Sequence, residues 1–258
     1  MNSLNERCKK LIARNISKSY GSRTILKDFN IEASQNEIIA LLGPNGAGKT
    51  TSFYIMIGTI SATHGKIIFD NTDITNVPLY MRSRLGIGYL PQEASIFRKL
   101  SVEDNLRIAL EVKYGNDQEK INKKIEQLLD EFNIQHIRHS IGGVLSGGER
   151  RRVEVARVLA IEPFFLLLDE PFAGVDPIAV NDIKNLIFSL KKRGIGVIIT
   201  DHNVRETLEI VDKAYILFDG NIICSGTPTE IIANEKVRQI YLGNDFEIKK
   251  HTVHNNIA

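Results

Sequence analysis

Apolar residues along the chain gather in short runs. Ile38-Ile39-Ala40-Leu41-Leu42 and Phe164-Phe165-Leu166-Leu167-Leu168 are unbroken, and Val197-Ile198-Ile199 sits between Gly196 and Thr200. Runs of this length, bounded by glycine or polar residues, predict strands buried on both faces. Elsewhere the spacing changes. Ile121, Ile125, Leu128, Leu129 and Phe132 recur at helical intervals with Lys and Glu between them, which predicts an amphipathic helix. Further helices are predicted over 149–160 and 178–192. Apolar strands alternating with helices imply an α/β fold with a mainly parallel sheet covered on both faces.

The ends of the chain read differently. Segments 11–16 and 29–33 carry β-compatible patterns, with a turn at Tyr20-Gly21-Ser22-Arg23. Segment 65–70 predicts a strand closed by polar Asn71-Thr72-Asp73, and 86–92 predicts a strand ending in Gln92. Segments 214–218 and 221–224 flank Asp219-Gly220, a hairpin signal. From Glu93 to about Val144 the texture is helical. A helical subdomain over about 93–160, inserted in a single domain spanning 1–248, is the organisation expected. The polar end, 249–258, is expected to be a disordered tail.

Composition narrows the function classes. A chain of 258 residues, 43% hydrophobic and 25% charged, can bury a sizeable core. Its net charge of +2 argues against nucleic acid as a partner. No apolar run approaches the roughly 20 residues that span a bilayer, and Met1 to Lys10 lacks the apolar centre of a signal peptide. A cytosolic protein is expected, with any membrane role exerted through partners. Cys8 and Cys224 cannot build a disulfide framework or a four-ligand zinc site.

The chemistry centres on Gly43-Pro44-Asn45-Gly46-Ala47-Gly48-Lys49-Thr50, which joins an apolar strand to a segment able to continue as a helix through Thr51. Strand, G-x-x-x-x-G-K-[ST], helix is the phosphate-binding P-loop in its required context. Glycines let successive N–H groups converge on an anion, and the helix start adds its positive dipole end. Lys49 would reach the β/γ-phosphates of a nucleoside triphosphate and Thr50 would ligate Mg²⁺. The bland alternative is a glycine-rich turn without a ligand. Asp169 and Glu170 end a second apolar strand, where open α/β sheets bind ligands. Asp169 fits the acidic Mg²⁺ position, and Glu170 fits a general base polarising water. In Leu145-Ser146-Gly147-Gly148-Glu149, Ser146 and Glu149 form an S-x-x-E capping box, and two glycines at a helix start leave N–H groups to meet an anion.

In these motifs the chain resembles an ATP-binding-cassette ATPase over essentially its whole length. Gly43 to Thr50 matches the Walker A loop, Gln92 the Q-loop and Leu145 to Glu149 the signature. Asp169 and Glu170 match Walker B and the catalytic glutamate, Gly174-Val175-Asp176 the D-loop, and His202 the switch histidine. Tyr20 stands where the family has an adenine-stacking aromatic, and Glu149 departs from the commoner glutamine. The resemblance implies a P-loop NTPase core with an antiparallel β subdomain and a helical subdomain. It implies Mg²⁺–ATP as the bound species, and a head-to-tail homodimer in which Ser146, Gly147 and Gly148 reach the partner's γ-phosphate. Gln92 would sense Mg²⁺ and the attacking water, and His202 would contact the γ-phosphate.

Stretches beyond the shared motifs, among them 86–98, 146–154, 169–177, 201–207 and 241–246, resemble the ATPase subunits of lipopolysaccharide-export transporters. Relatives for branched-chain amino acid uptake share part of this texture, and an importer is the alternative; a non-transport cassette ATPase is a further one. The resemblance implies two integral-membrane subunits above the dimer, on the cytoplasmic face of the inner membrane. Ile96, Phe97 and Arg98 form an apolar–aromatic–basic set suited to docking them. The alternative for Ile96 and Phe97 is burial within the helical segment.

Overall fold

The computed structural model describes residues 8–175, 177–243 and 246. The expectations placed on Asp176, on the first seven residues and on the tail from residue 249 lie outside them. The strands are β1 (Lys10–Tyr20), β2 (Arg23–Ser34), β3 (Ile38–Leu42), β4 (His64–Phe69), β5 (Thr72–Asp73), β6 (Ile87–Leu90), β7 (Phe165–Asp169), β8 (Gly196–Thr200), β9 (Lys213–Phe218) and β10 (Asn221–Gly226). They form one sheet in the order β5-β4-β1-β2-β10-β9-β3-β8-β7-β6.

The sheet has two characters. Strands β6, β7, β8, β3 and β9 pair in parallel. Every residue of β3, β7 and β8 is buried, as strands covered on both faces require. Alternation then splits the core. Ile38, Ala40, Leu42, Leu166 and Leu168 face one cluster, and Ile39, Leu41, Phe165 and Leu167 face the other. Strands β1, β2, β4 and β5 pair antiparallel among themselves, and β10 pairs antiparallel with β9. The two halves join where β10 pairs with β2 through Asn221 and Asp28. The β9–β10 hairpin turns at Asp219 (φ 46°) and Gly220 (φ 76°), both left-handed, as the Asp-Gly pair requires.

The helices among the described residues include α1 (Lys49–Ile57), α2 (Leu79–Arg84), α3 (Val102–Tyr114), α4 (Gln118–Glu131), α5 (Gly147–Leu159), α6 (Pro177–Lys192), α7 (Val204–Leu208) and α8 (Pro228–Ala233). None of the described helices is long and apolar enough to cross a membrane. The predicted apolar face of α4, Ile121, Ile125, Leu128 and Leu129, is buried with Leu106 and Leu110 of α3 and Val153 of α5. Charge fastens this helical region outside its core. Glu103 accepts from Arg107 (2.7 Å) and from Arg138 (2.6 Å), and Arg138 also reaches Glu126 (2.6 Å). Hydrogen bonding from Arg138, joined by Arg107, holds the Glu103 carboxyl at about 2.

The sequence expectations shift in detail. The strand placed at 86–92 stops at Leu90, before Pro91, which lacks the N–H a ladder uses. Polar Thr72 and Asp73 form a short edge strand, not a closing loop. The helix placed from residue 149 starts at Gly147, because Ser146 caps it. Helix α2 was not anticipated. Its Arg82 is 1% exposed and donates to four carbonyls: Val77 (2.7 Å), Thr75 (2.7 Å), Ile55 (2.8 Å) and Met56 (2.7 Å). The last two lie at the end of α1. Burial lowers the Arg82 pKa to about 10.

Candidate active site

Strand order arranges the site. Because β3, β8, β7 and β6 are neighbours and parallel, their carboxyl ends lie on one edge of the sheet. That edge receives in turn the P-loop after β3, His202 after β8, Asp169 and Glu170 at the end of β7, and Gln92 after β6. Five expected site elements scattered over 160 residues of sequence thus become one row, at the place where open α/β sheets bind ligands.

The P-loop geometry explains its glycines. A side chain on Gly43 would stand 2.1 Å from the Leu217 carbonyl oxygen of β9, so the loop nests against the sheet only without one. Gly48, at φ 110°, caps α1 in a conformation that L side chains rarely adopt. Lys49 is buried, and its Nζ donates to the carbonyls of Gly43 (2.6 Å) and Pro44 (3.0 Å). Burial lowers its pKa, against the opposing pull of Glu170, Asp201 and Asp169. Pro44 is half-buried, Ala47 buried, and Asn45, Gly46 and Thr50 exposed, so the loop's outer rim and the Thr50 hydroxyl face solvent; Thr51 turns half inward. Ile25 and Leu26 of β2 lie against Gly48. The hairpin between β1 and β2 is thereby anchored beside the loop, with Tyr20 at its tip, 52% exposed.

Asp169 is 5% exposed and held at both oxygens: Thr200 Oγ1 donates to Oδ1 (2.5 Å) and Tyr89 OH to Oδ2 (3.2 Å). Among the described residues no trio of His, Cys, Asp and Glu gathers into a metal cage. One fixed carboxylate plus a threonine hydroxyl is nonetheless a hard-oxygen set of the kind Mg²⁺ uses when phosphates and waters complete its shell. Glu170 follows with φ 47°, left-handed for a non-glycine residue, while its N–H donates to Thr200 O (2.8 Å). Strain of this kind marks places where position outweighs backbone comfort. His202 Nδ1 is 3.1 Å from Glu170 Oε2. Beneath them Asp201 is fully buried, accepting from the N–H groups of Phe172 (2.9 Å) and Asn203 (2.7 Å). Burial raises its pKa.

The signature lies apart from the P-loop. Ser146 and Glu149 make the expected capping box: Glu149 Oε2 accepts from Ser146 N (2.9 Å) and from Ser146 Oγ (2.6 Å). Gly147 and Gly148 are exposed at the first turn of α5. They line a cleft of about 600 Å³ together with Gln92 and Glu170, whereas no P-loop residue lines it. The chain brings Asp169, Glu170 and His202 together, and the cleft that Gly147 and Gly148 line does not include its own Lys49 loop.

A second hollow, about 760 Å³, runs along the open edge of β6. Tyr80 of α2, Phe97, and Ile108 and Val112 of α3 wall it. Phe97 is 47% exposed and carries the Arg157 guanidinium 5.0 Å from its ring centre; Arg98 is exposed as well. Ile96 corrects the expectation. It is 6% exposed and packs in the helical core, its amide N–H turned to Glu154 Oε1 (3.2 Å). Its side chain is core and cannot face a partner.

Sequence reasoning missed Tyr89, Thr200 and Asp201. Thr200, a polar residue closing an otherwise apolar strand, carried a signal; Tyr89 and Asp201 act through pairings between distant segments and carried none.

Known proteins with this arrangement are numerous. The family described as "ABC transporter" matches residues 26–173, more than half of the chain. The family described as "Branched-chain amino acid ATP-binding cassette transporter" matches residues 221–247. The lipopolysaccharide export system ATP-binding protein LptB of Haemophilus influenzae is 53% identical over 238 residues, which cover 92% of this chain and 99% of that protein. Among solved structures, the ADP conformation of the ATP-binding cassette MJ1267 superposes with a TM-score of 0.81 at 29% identity, covering 91% of this chain and 99% of the other. The dimeric cassette MJ0796 bound to ADP and Pi gives 0.74 at 25% identity, covering 84% and 98%. The α/β fold with its mixed sheet is that of these cassettes, and this chain belongs to the ABC transporter family as an ATP-binding subunit that hydrolyses ATP to drive transport.

Proposed function

We propose that this ATPase works as a homodimer beneath two integral-membrane subunits, on the cytoplasmic face of the inner membrane, and powers extraction of lipopolysaccharide toward the outer membrane. The observation that carries the cargo assignment is likeness to a lipopolysaccharide-export ATPase along 92% of the chain, at 53% identity. The branched-chain amino acid transporter family matches residues 221–247, a short stretch near the end of the chain.

The chemistry follows from the row of groups on the sheet edge. Lys49 and the amides from Gly43 to Thr50 bind the phosphates, and Tyr20 stacks on the base. Thr50 and Asp169, with Gln92 beside them, are the residues that would hold Mg²⁺, which when bound neutralises charge on the transferred phosphoryl group. Glu170 takes a proton from the attacking water. His202 lies against the Glu170 carboxylate and contacts the γ-phosphate. Ser146, Gly147 and Gly148 close on the nucleotide of a second copy. Closure moves the helical region, and the hollow walled by Phe97, with exposed Arg98 next to it in sequence, transmits that movement to a cytoplasmic helix of each membrane subunit.

Co-purification tests this reading. The Glu170→Gln form, extracted from membranes in mild detergent, should bring down two integral-membrane subunits together with lipopolysaccharide. Recovery of amino-acid permeases in their place would keep the ATPase chemistry and overturn the cargo.

A further inference from the structure

Among the described residues strand β6 is the last of the sheet, and one of its edges has no neighbouring strand. That edge floors the hollow walled by Tyr80 and Phe97, and Tyr89 is part of the floor. Side chains alternate along β6, which puts Tyr89 on the face shared with Ile87 and opposite to Gly88 and Leu90. Tyr89 pairs in register with Leu167, two residues before Asp169, so its ring points along β7 toward that carboxylate. The hydroxyl donates to Asp169 Oδ2 (3.2 Å). The ring meets Tyr54 of α1 edge-on, with centroids 6.5 Å apart and planes at 83°. One half-buried side chain therefore touches three things: the floor of the hollow, the helix that begins at Lys49, and the carboxylate suited to Mg²⁺.

We propose that Tyr89 is a positioning residue that couples occupancy of this hollow by a membrane subunit to the metal-binding carboxylate of Asp169. This rests on the docking reading given above. A helix seated in the hollow bears on the ring from below, and a rigid phenol passes a displacement at its ring on to its hydroxyl. Asp169 Oδ1 stays pinned by Thr200 at 2.5 Å, so movement at Tyr89 turns the carboxylate about that fixed point. The route is separate from Gln92, which lies beyond Pro91 and faces the other cleft.

The test uses the assembled transporter in the Glu170→Gln background, with and without Tyr89→Phe. The reading is binding of a fluorescent ATP analogue titrated with Mg²⁺, made on the free ATPase and on the complex with its membrane subunits. With Tyr89 present, assembly should move the Mg²⁺ midpoint by about tenfold, the scale of one hydrogen bond to a charged group. With phenylalanine, the free chain should need several-fold more Mg²⁺ and assembly should no longer move the midpoint, at a melting temperature within about 2 °C of the parent. Equal midpoint movement in both forms would overturn the coupling, as would no movement in either. A lowered melting temperature with the midpoint movement retained would make Tyr89 merely structural. Failure of both forms to assemble would instead remove the docking reading on which the proposal stands.

Discussion

His202 Nδ1 faces Glu170 Oε2 across 3.1 Å, although 32 residues separate the two in sequence. Parallel pairing of β7 with β8, where Asp169 is in register with Thr200, creates that proximity. Removing the carboxylate charge should stop proton abstraction without touching the phosphate cradle. Glu170→Gln is expected to lower turnover at least about 100-fold while retaining ATP binding, measured by phosphate release and by nucleotide titration. His202→Ala should cost about 10- to 100-fold in turnover, and the double variant should be no worse than Glu170→Gln, since both act on one water.

Ile96 and Phe97 are adjacent yet opposite in role. Ile96→Ala opens a cavity in the helical core and should destabilise by about 2–4 kcal/mol in chemical denaturation. Phe97→Ala removes a half-exposed ring and should cost less than about 1 kcal/mol, while weakening recovery of membrane subunits in co-purification. Reversed stabilities would mean that Phe97 is the core residue.

Arg82 is a buried cation with carbonyls in place of a carboxylate. Arg82→Met strips donors from four carbonyls at the end of α1 and before α2, and should destabilise by about 3 kcal/mol in urea titration. Arg82→Lys should recover little of this, because a single ammonium cannot span four acceptors that a planar fork reaches.

Glu103 gives the helical region an acid-sensitive fastening. Its folded pKa, about 2, lies below the unfolded carboxylate value, so the stability it contributes is present at neutral pH and is lost as pH falls toward 2. With the pair partly exposed, Glu103→Gln should cost about 1 kcal/mol at pH 7, and the difference from the parent should close between about pH 4.5 and pH 2. Parallel stability curves across that range would show that the pairing with Arg138 carries no net energy.

Much of this architecture was legible in the residues because its signals are local. The unbroken runs 38–42 and 196–200 became fully buried strands, Asp219-Gly220 became a hairpin turn, and Ser146 and Glu149 became a capping box. What stayed hidden depends on contacts between distant segments. Nothing in Leu79–Arg84 announces that its arginine will close the end of α1, and nothing near Tyr89 names Asp169 as its partner. Ile96 and Phe97 look alike in sequence; only the placement of Ile96 in the helical core, beside Gly142 and with its N–H on Glu154, assigns one inward. The strained φ of Glu170 likewise follows from its hydrogen bond to Thr200, not from its neighbours in sequence.

The capping box at Ser146 has a consequence for how copies of this chain meet and part. Its hydroxyl and its N–H both already have an acceptor in Glu149. A separated subunit therefore leaves no craving at the serine: the cap is content by itself. If, as proposed, a second copy's phosphate meets Ser146, the serine exchanges one oxygen acceptor for another and gains only the difference. On that proposal, contact at this point would be a swap of partners and not a first union, one that can be made and undone in every cycle.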